Sequence, residues 1–302
     1  FLCCRDLSKC QVGHCKYVLI TDQDGGIIND PILLKLAEDH FWLSIADSDV
    51  LLWARGVAVN SGMDVDISEP DVSPLQLQGP KSREVLRAAF GDAPTELKYY
   101  RFMEFDWDDV PLIISRTGWS SELGYEIFLR DGTQGDKLWE HLMAVGGPLG
   151  LKPGHTSSIR RIEAGMLSYH ADMTLANNPY ELGMGRLVDL DMKADFISKA
   201  ALTLIKERGV SQQLVGLEID GDPFVGSNDF FWPILKEGVK VGKVTSAIYS
   251  PRLQKNIALA MLSIDHTASG RVLQVDKLSE TRTCTVVPFP FYDSKKSLAT
   301  ES

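Results

Sequence analysis

The sequence has no apolar run long enough to cross a bilayer as a helix. Its longest, such as Ile257 to Ile264, fall far short of the roughly 20 residues a span requires. No positively charged opening leads into an apolar segment, so no export signal is read at the start, and a cytoplasmic location is expected, with the mitochondrial matrix as the alternative. Basic charge is also in deficit: 31 Lys and Arg against 41 Asp and Glu give a net charge of -10. That balance argues against nucleic acid or an anionic membrane as partner. The five cysteines form no metal-type pair two residues apart. Free thiols in a reducing compartment are therefore expected in place of a disulfide framework, and no metal site is expected. An initiator methionine is missing as well: Phe1-Leu2-Cys3-Cys4 reads like the end of one element running into a loop, as if earlier residues were absent. What remains is ordinary globular composition, 302 residues with 44% hydrophobic and 24% charged, enough for one large or two medium domains.

Short β-rich runs punctuated by Asp and Gly turns open the chain: Tyr17 to Thr21, Ile32 to Leu36 and Phe41 to Ala46. Asp47 is placed to cap a helix over Asp49 to Val59. Strands follow at Val65 to Ser68 and Leu75 to Gln78, then a helix over Ser82 to Phe90 introduced by Gly79-Pro80. Strands at Tyr99 to Phe105, Pro111 to Ser115 and Tyr125 to Leu129 precede helices at Gln134 to Val145 and Thr156 to Leu167. Ser168 to Gly185 is irregular, and loops that long are usually functional. After a helix at Lys199 to Glu207, six alternating segments between Leu214 and Val287 with glycine turns suggest a small β-barrel-like module, and the tail after Asp293 is expected to fray. The pattern predicts an α+β protein with antiparallel sheets and helices in residues 1–210 and a C-terminal β-barrel-like domain in residues 211–302.

Several segments, in order and spacing, carry a resemblance: Gly25-Gly26-Ile27-Ile28-Asn29-Asp30, Leu77-Gln78-Gly79-Pro80, Ser115-Arg116-Thr117-Gly118-Trp119 with Gly124-Tyr125-Glu126-Ile127, Arg161-Ile162-Glu163-Ala164-Gly165 with Leu167-Ser168-Tyr169, Asn178-Pro179-Tyr180-Glu181, and Ser250 to Ala258. Across nearly the whole chain the sequence resembles the folate-dependent aminomethyltransferase family, which includes the T-protein of glycine cleavage and relatives that demethylate small methylated solutes. Asn29-Asp30-Pro31 and the stretch Phe41 to Asp49 look most like the dimethylsulfoniopropionate demethylase branch. Ser120-Ser121-Glu122-Leu123, Phe128, Arg160 and His170 depart from that branch, which opens the identity of the methyl donor. The resemblance also implies that a family N-terminal segment of several tens of residues is missing ahead of Phe1, and an incomplete pocket is one expectation that follows.

The resemblance implies tetrahydrofolate as methyl acceptor and a set of residue roles. Glu126 would anchor the pterin, whose adjacent amino and ring N–H donors one carboxylate accepts as a fork. The ordinary alternative is an exposed strand glutamate. Asp30 would lie beside the folate N5 as the catalytic carboxylate, stabilising positive charge as the methyl moves; the alternative is a turn aspartate binding nearby amides. Tyr17 and Trp119 match functional positions, Tyr17 toward both cofactor and donor and Trp119 toward the donor. An onium group carries no hydrogen-bond donor, so aromatic faces recognise it. Trp42 and Trp53 read as core residues on a strand and a helix. Ser44 would bind the donor's carboxylate or bond backbone within its strand. Arg161 would bind the anionic folate tail or the donor's carboxylate, and Arg252 and Lys255 would close over the folate from the other side, each with a solvated surface charge as its alternative. Tyr169 and Glu181 lie in matched segments without an assigned role. No covalent nucleophile is required, so Cys4, Cys10 and Cys15 read as ordinary thiols.

Three activities follow. The first is tetrahydrofolate-dependent demethylation of a small onium donor; the second is aminomethyl transfer in glycine cleavage, which requires a lipoyl carrier protein as partner; the third is folate binding without turnover.

Overall fold

The structure, a computed structural model, describes residues 1–45 and 49–300. In chain order its elements begin with β1 (Cys15–Tyr17), β2 (Ile20–Thr21), β3 (Ile27–Asn29), β4 (Ile32–Lys35), β5 (Phe41–Ser44), α1 (Val50–Val59), β6 (Ser73–Gln78) and α2 (Ser82–Phe90). Then come β7 (Phe102–Trp107), β8 (Val110–Ser115), β9 (Gly124–Leu129), α3 (Gly135–Gly146), α4 (Ser158–Glu163) and α5 (Lys199–Arg208). The last part holds β10 (Gln212–Ile219), β11 (Pro233–Lys236), β12 (Val239–Ser250), β13 (Lys255–Ser263), β14 (Val272–Asp276), β15 (Thr281–Val287) and α6 (Ser297–Thr300). The fold is α+β with antiparallel strand pairs. Among the described residues no helix is long and apolar enough to cross a membrane.

Two compact units are each assembled from three segments. One holds residues 1–7, 18–31 and 157–294, so the expected division at 210 falls inside its last segment. Its main body is a closed barrel in the order β10-β13-β12-β11-β14-β15 around Leu217, Ile234, Val244, Leu262 and Val275. The β2-β3 hairpin belongs to the same unit, and the Asp22 carboxylate closes its tip by accepting the Asp24 and Gly26 amides at 3.0 and 2.8 Å.

The other unit holds residues 8–17, 32–156 and 295–302. A four-stranded sheet in the order β6-β9-β8-β7 has both faces covered, which is why every residue of β9 is buried. Tyr125, Ile127 and Leu129 pack with Leu86 and Phe90 of α2 and Leu138 of α3. On the opposite face Phe102, Ile113 and Phe128 pack against Cys15 and Leu34 of the three-stranded sheet β1-β4-β5.

Four local expectations are corrected. Residues 65–68 form no strand: Val65 is exposed and no described strand pairs with the segment. The expected Thr156–Leu167 helix shortens to α4, with Ser157 capping its start and Gly165, at φ 62°, lying two residues past its end. The tail past Asp293 does not fray throughout, because α6 buries Ala299, whose carbonyl accepts from Arg116 Nη2 at 3.1 Å. The strand expected at Lys240 to Thr245 runs on to Ser250. The expected Asp47 cap, and with it part of the Phe41 to Asp49 stretch, lies outside the described residues.

Candidate active site

Glu126 sits in the middle of β9, on the face shared with Phe128 and opposite Tyr125 and Ile127. Strand register aligns Gln76, Glu126, Ser115 and Phe102 in one row across the sheet. Glu126 as a residue is 8% exposed, so the exposed-glutamate alternative fails. Gln76 Nε2 donates to its Oε1 at 3.1 Å, and Thr117 Oγ1 donates to its Oε2 in a short bond. Ser115 Oγ lies 2.5 Å from Thr117 Oγ1. With the carboxyl ionised, the single Thr117 proton goes to Glu126, so Ser115 donates to Thr117 and the relay has one direction. Desolvation raises the Glu126 pKa, and the Thr117 and Gln76 bonds oppose that rise. A carboxylate offers about four acceptor positions, and neutral donors here occupy two, one per oxygen. One position is left on each oxygen, the number that a ligand with two neighbouring N–H donors needs, so the acceptor set fits the pterin that the resemblance implies. Gln76 is itself exposed on the edge strand β6, so the row reaches solvent at that end.

The three-stranded sheet packed on this face carries two further expected residues. Tyr17 is opposite Ile32, and Ile32 is opposite Ser44, so Tyr17 and Ser44 flank one position and share a face. The next row on that face is Cys15, Leu34 and Trp42, which joins the core against Phe128. Tyr17, Ser44 and Trp119 are all half-buried. Trp42 is a core residue as expected, its ring 6.2 Å from that of Phe128.

Asp30 lies in the other unit from Glu126. It follows β3 directly, is half-buried, and its amide donates to Asn29 Oδ1 at 2.8 Å. The irregular segment supports β3, since Ile27 N donates to Asn177 O at 2.9 Å and Tyr169 Oη donates to Ile27 O at 3.0 Å. Glu181 holds that segment by accepting from Asn178 N, Asn177 Nδ2 and Gln212 Nε2.

Residues 1–192 match the GCVT N-terminal domain, and residues 212–293 match the glycine cleavage T-protein C-terminal barrel domain. The chain belongs to the glycine cleavage T-protein family. Within its reach, the dimethylsulfoniopropionate demethylase of Ruegeria pomeroyi is 39% identical over 282 residues, 93% of this chain and 76% of that protein. An aminomethyltransferase of Bacillus cereus is 31% identical over 299 residues, 97% of this chain and 80% of that one. The crystal structure of the glycine cleavage system aminomethyltransferase T from Bartonella henselae shares the fold with a TM-score of 0.82, covering 97% of this chain and 80% of its own, at 22% identity.

Of the expected cations, Arg161 is withdrawn from solvent, whereas Arg252 and Lys255 are exposed. Arg161 is buried, its Nη1 donating to Asp172 Oδ2 at 2.8 Å and its Nη2 to Ser246 Oγ at 2.8 Å. Arg252 stacks on Tyr292 at 4.1 Å and lies 3.7 Å from Glu163. Lys255 pairs with Glu218 at 2.7 Å in an exposed bridge. All five cysteines are free thiols, and burial pushes Cys4 and Cys284 up to about 12, which keeps them protonated and unreactive. Sequence reasoning missed Gln76, Thr117 and Ser115 as partners of Glu126. The last two stand inside a matched segment, and only strand register shows that Gln76 faces the same carboxylate.

Proposed function

We propose that this T-protein family member is a tetrahydrofolate-dependent methyltransferase that demethylates a small onium donor of the dimethylsulfoniopropionate type. The observation that carries this reading is the Glu126 carboxylate, withdrawn from water and pinned at each oxygen by one neutral donor, with an acceptor position to spare on each. The 39% identity to a dimethylsulfoniopropionate demethylase over 93% of the chain supports this donor class. When bound, tetrahydrofolate supplies the nucleophilic N5 that takes the methyl group.

Glu126 would accept the two pterin donors, which favours its ionised form against the desolvation that burial imposes. Asp30 would stabilise the positive charge that migrates as the methyl leaves its onium centre and then take up a proton at its carboxylate. Tyr17 and Trp119 would offer aromatic faces to the cation, each worth roughly 0.5 to 2 kcal/mol, with Tyr17 also reaching the cofactor. Ser44 would donate to the donor's carboxylate. Arg252 would meet the acidic folate tail. For Arg161, whose guanidinium is engaged by Asp172 and Ser246, we propose a cofactor role exerted by fixing α4. Residues 1–210 would carry this chemistry, with the barrel from 211 onward contributing Arg252. Holding the reactants in line, the protein would lower the barrier by roughly 7 to 11 kcal/mol.

Incubation with tetrahydrofolate and a panel of sulfonium, betaine and methylamine donors tests the reading. We expect 5-methyltetrahydrofolate from at least a sulfonium donor, and no methylated product from any donor would refute demethylation. The 31% identity to an aminomethyltransferase over 97% of the chain supports a second reading, aminomethyl transfer from a lipoyl carrier protein. Ammonia release with lipoylated carrier, in the absence of methyl transfer, would establish it. Tight folate binding with no turnover would favour a binding-only relative.

A further inference from the structure

We propose that Gln78 is a positioning residue for Glu126, acting through the loop that joins Thr117 to Gly124; this deepens the folate-binding reading above and rests on it. Gln78 ends β6 directly opposite Gly124, on the same face as Gln76 and Glu126. Its amide is used on every side. Nε2 donates to Thr117 O at 3.2 Å and to Tyr125 O at 3.2 Å, while Oε1 accepts from Ser120 Oγ at 2.6 Å. One side chain therefore ties the start, the tip and the end of the loop together. Ser120 also accepts from Glu122 N at 3.2 Å, and Ser121, at φ 54°, tightens the tip.

Two glycines make room for this clamp. A Cβ at either Gly118 or Gly124 would overlap the Gln78 amide, and neither residue has a positive φ, so space and not backbone conformation demands glycine at both. The consequence reaches Glu126 by two routes. Thr117, whose carbonyl Gln78 holds, donates its hydroxyl to Glu126 Oε2. Tyr125, whose carbonyl Gln78 also holds, is the covalent neighbour of Glu126. Gln78 thus fixes both the partner and the backbone of the carboxylate without needing to touch a ligand. Of the loop residues that depart from the family pattern, Ser120 is the one that closes the clamp.

The test uses Gln78→Leu, which keeps bulk and loses all three bonds, and Gly124→Ala, which keeps the amide but denies it its place. Hydrogen exchange of residues 117–125 in the ligand-free protein is expected to accelerate about tenfold in both, the size of one lost hydrogen bond. The Kd for tetrahydrofolate should rise by about the same factor while kcat at saturation stays close to the parent value. Loss of the Thr117 bond should move the pH midpoint of folate binding upward, a shift that a general loss of stability would not produce. Ser120→Ala should move exchange and Kd in the same direction by less, and it carries the test if Gln78→Leu fails to fold. Unchanged exchange in the loop overturns the clamp. Faster exchange with an unchanged Kd overturns the link to Glu126. If the parent itself fails to bind tetrahydrofolate, the proposed function fails, whereas the exchange measurement still decides the clamp because it needs no folate.

Discussion

Glu126 and Asp172 are both carboxylates withdrawn from water, yet their surroundings differ in kind. Asp172 Oδ1 accepts from Thr245 Oγ1 at 2.6 Å and Ser246 Oγ at 2.7 Å, and Oδ2 accepts from Arg161 Nη1 at 2.8 Å and Ser168 N at 3.0 Å. All four acceptor positions are filled, one of them by a cation. Glu126 has two filled, both by neutral groups. A saturated carboxylate has nothing left for a ligand and serves to join segments of the fold. A half-saturated one carries an unmet electrostatic demand that a ligand with two donors can meet. Burial alone therefore does not single out a candidate ligand-binding acid, and the acceptor positions to spare are what separate Glu126 from Asp172.

The contrast breaks most decisively at Asp172. Asp172→Ala should destabilise the protein by about 3 to 5 kcal/mol in urea unfolding, since it leaves the Arg161 charge buried without its partner. A loss below about 1 kcal/mol would mean the network is not what joins these segments. Next in size, Asp30→Ala should lower kcat by about 10²- to 10³-fold while tetrahydrofolate affinity, read by calorimetry, is largely spared. An equal loss in both would make Asp30 a binding group.

Glu126→Gln should weaken tetrahydrofolate by about 1.5 to 3 kcal/mol through loss of charge-assisted bonds. The same variant sharpens the comparison through pH. Because burial holds the Glu126 carboxyl above its ordinary 4.5, the native state binds more protons than the unfolded state once the pH exceeds that value. Its contribution to stability is present below pH 4.5 and is lost as the pH rises through the native pKa. The decline should vanish in Glu126→Gln, and folate binding to the parent should release protons in that window, measurable by calorimetry in buffers of different ionisation heat. Smallest of all, Lys255→Ala removes an exposed bridge to Glu218 and should change stability by no more than about 0.5 kcal/mol.

Much of the architecture was readable from alternation and turn chemistry. The helix Ser82–Phe90 lies where its glycine–proline start and apolar spacing put it, and the alternating strands from Leu214 onward close into a barrel. Where the reading failed, a local irregularity was the cause. The β12 strand looked finished at Thr245 because Thr245 and Ser246 are consecutive polar residues. The structure has a bulge there, with Val244 opposite Ala260 and Ser246 opposite Leu259. A bulge breaks the two-residue period, so both hydroxyls reach the same Asp172 oxygen while the strand continues. Val65 to Ser68 had the composition of a strand but no partner strand, the Ile67 carbonyl accepting instead from Arg55 Nε at 2.9 Å, and composition cannot supply a partner. The candidate site was half legible: Glu126 could be put forward from motif and periodicity, but the groups that surround its carboxylate could not.

The sequence by itself determined which residues alternate, where turns fall, and that Glu126 points away from Tyr125 and Ile127, because side-chain direction along a strand follows from a fixed local geometry. Only the tertiary structure decided that Gln76 is the residue opposite Glu126, that Thr117 turns its hydroxyl onto the carboxylate, and that Arg161 is taken up by Asp172. Those facts depend on register and on contacts between segments far apart in the chain, and an interaction that is shared between two distant places is written in neither of them alone.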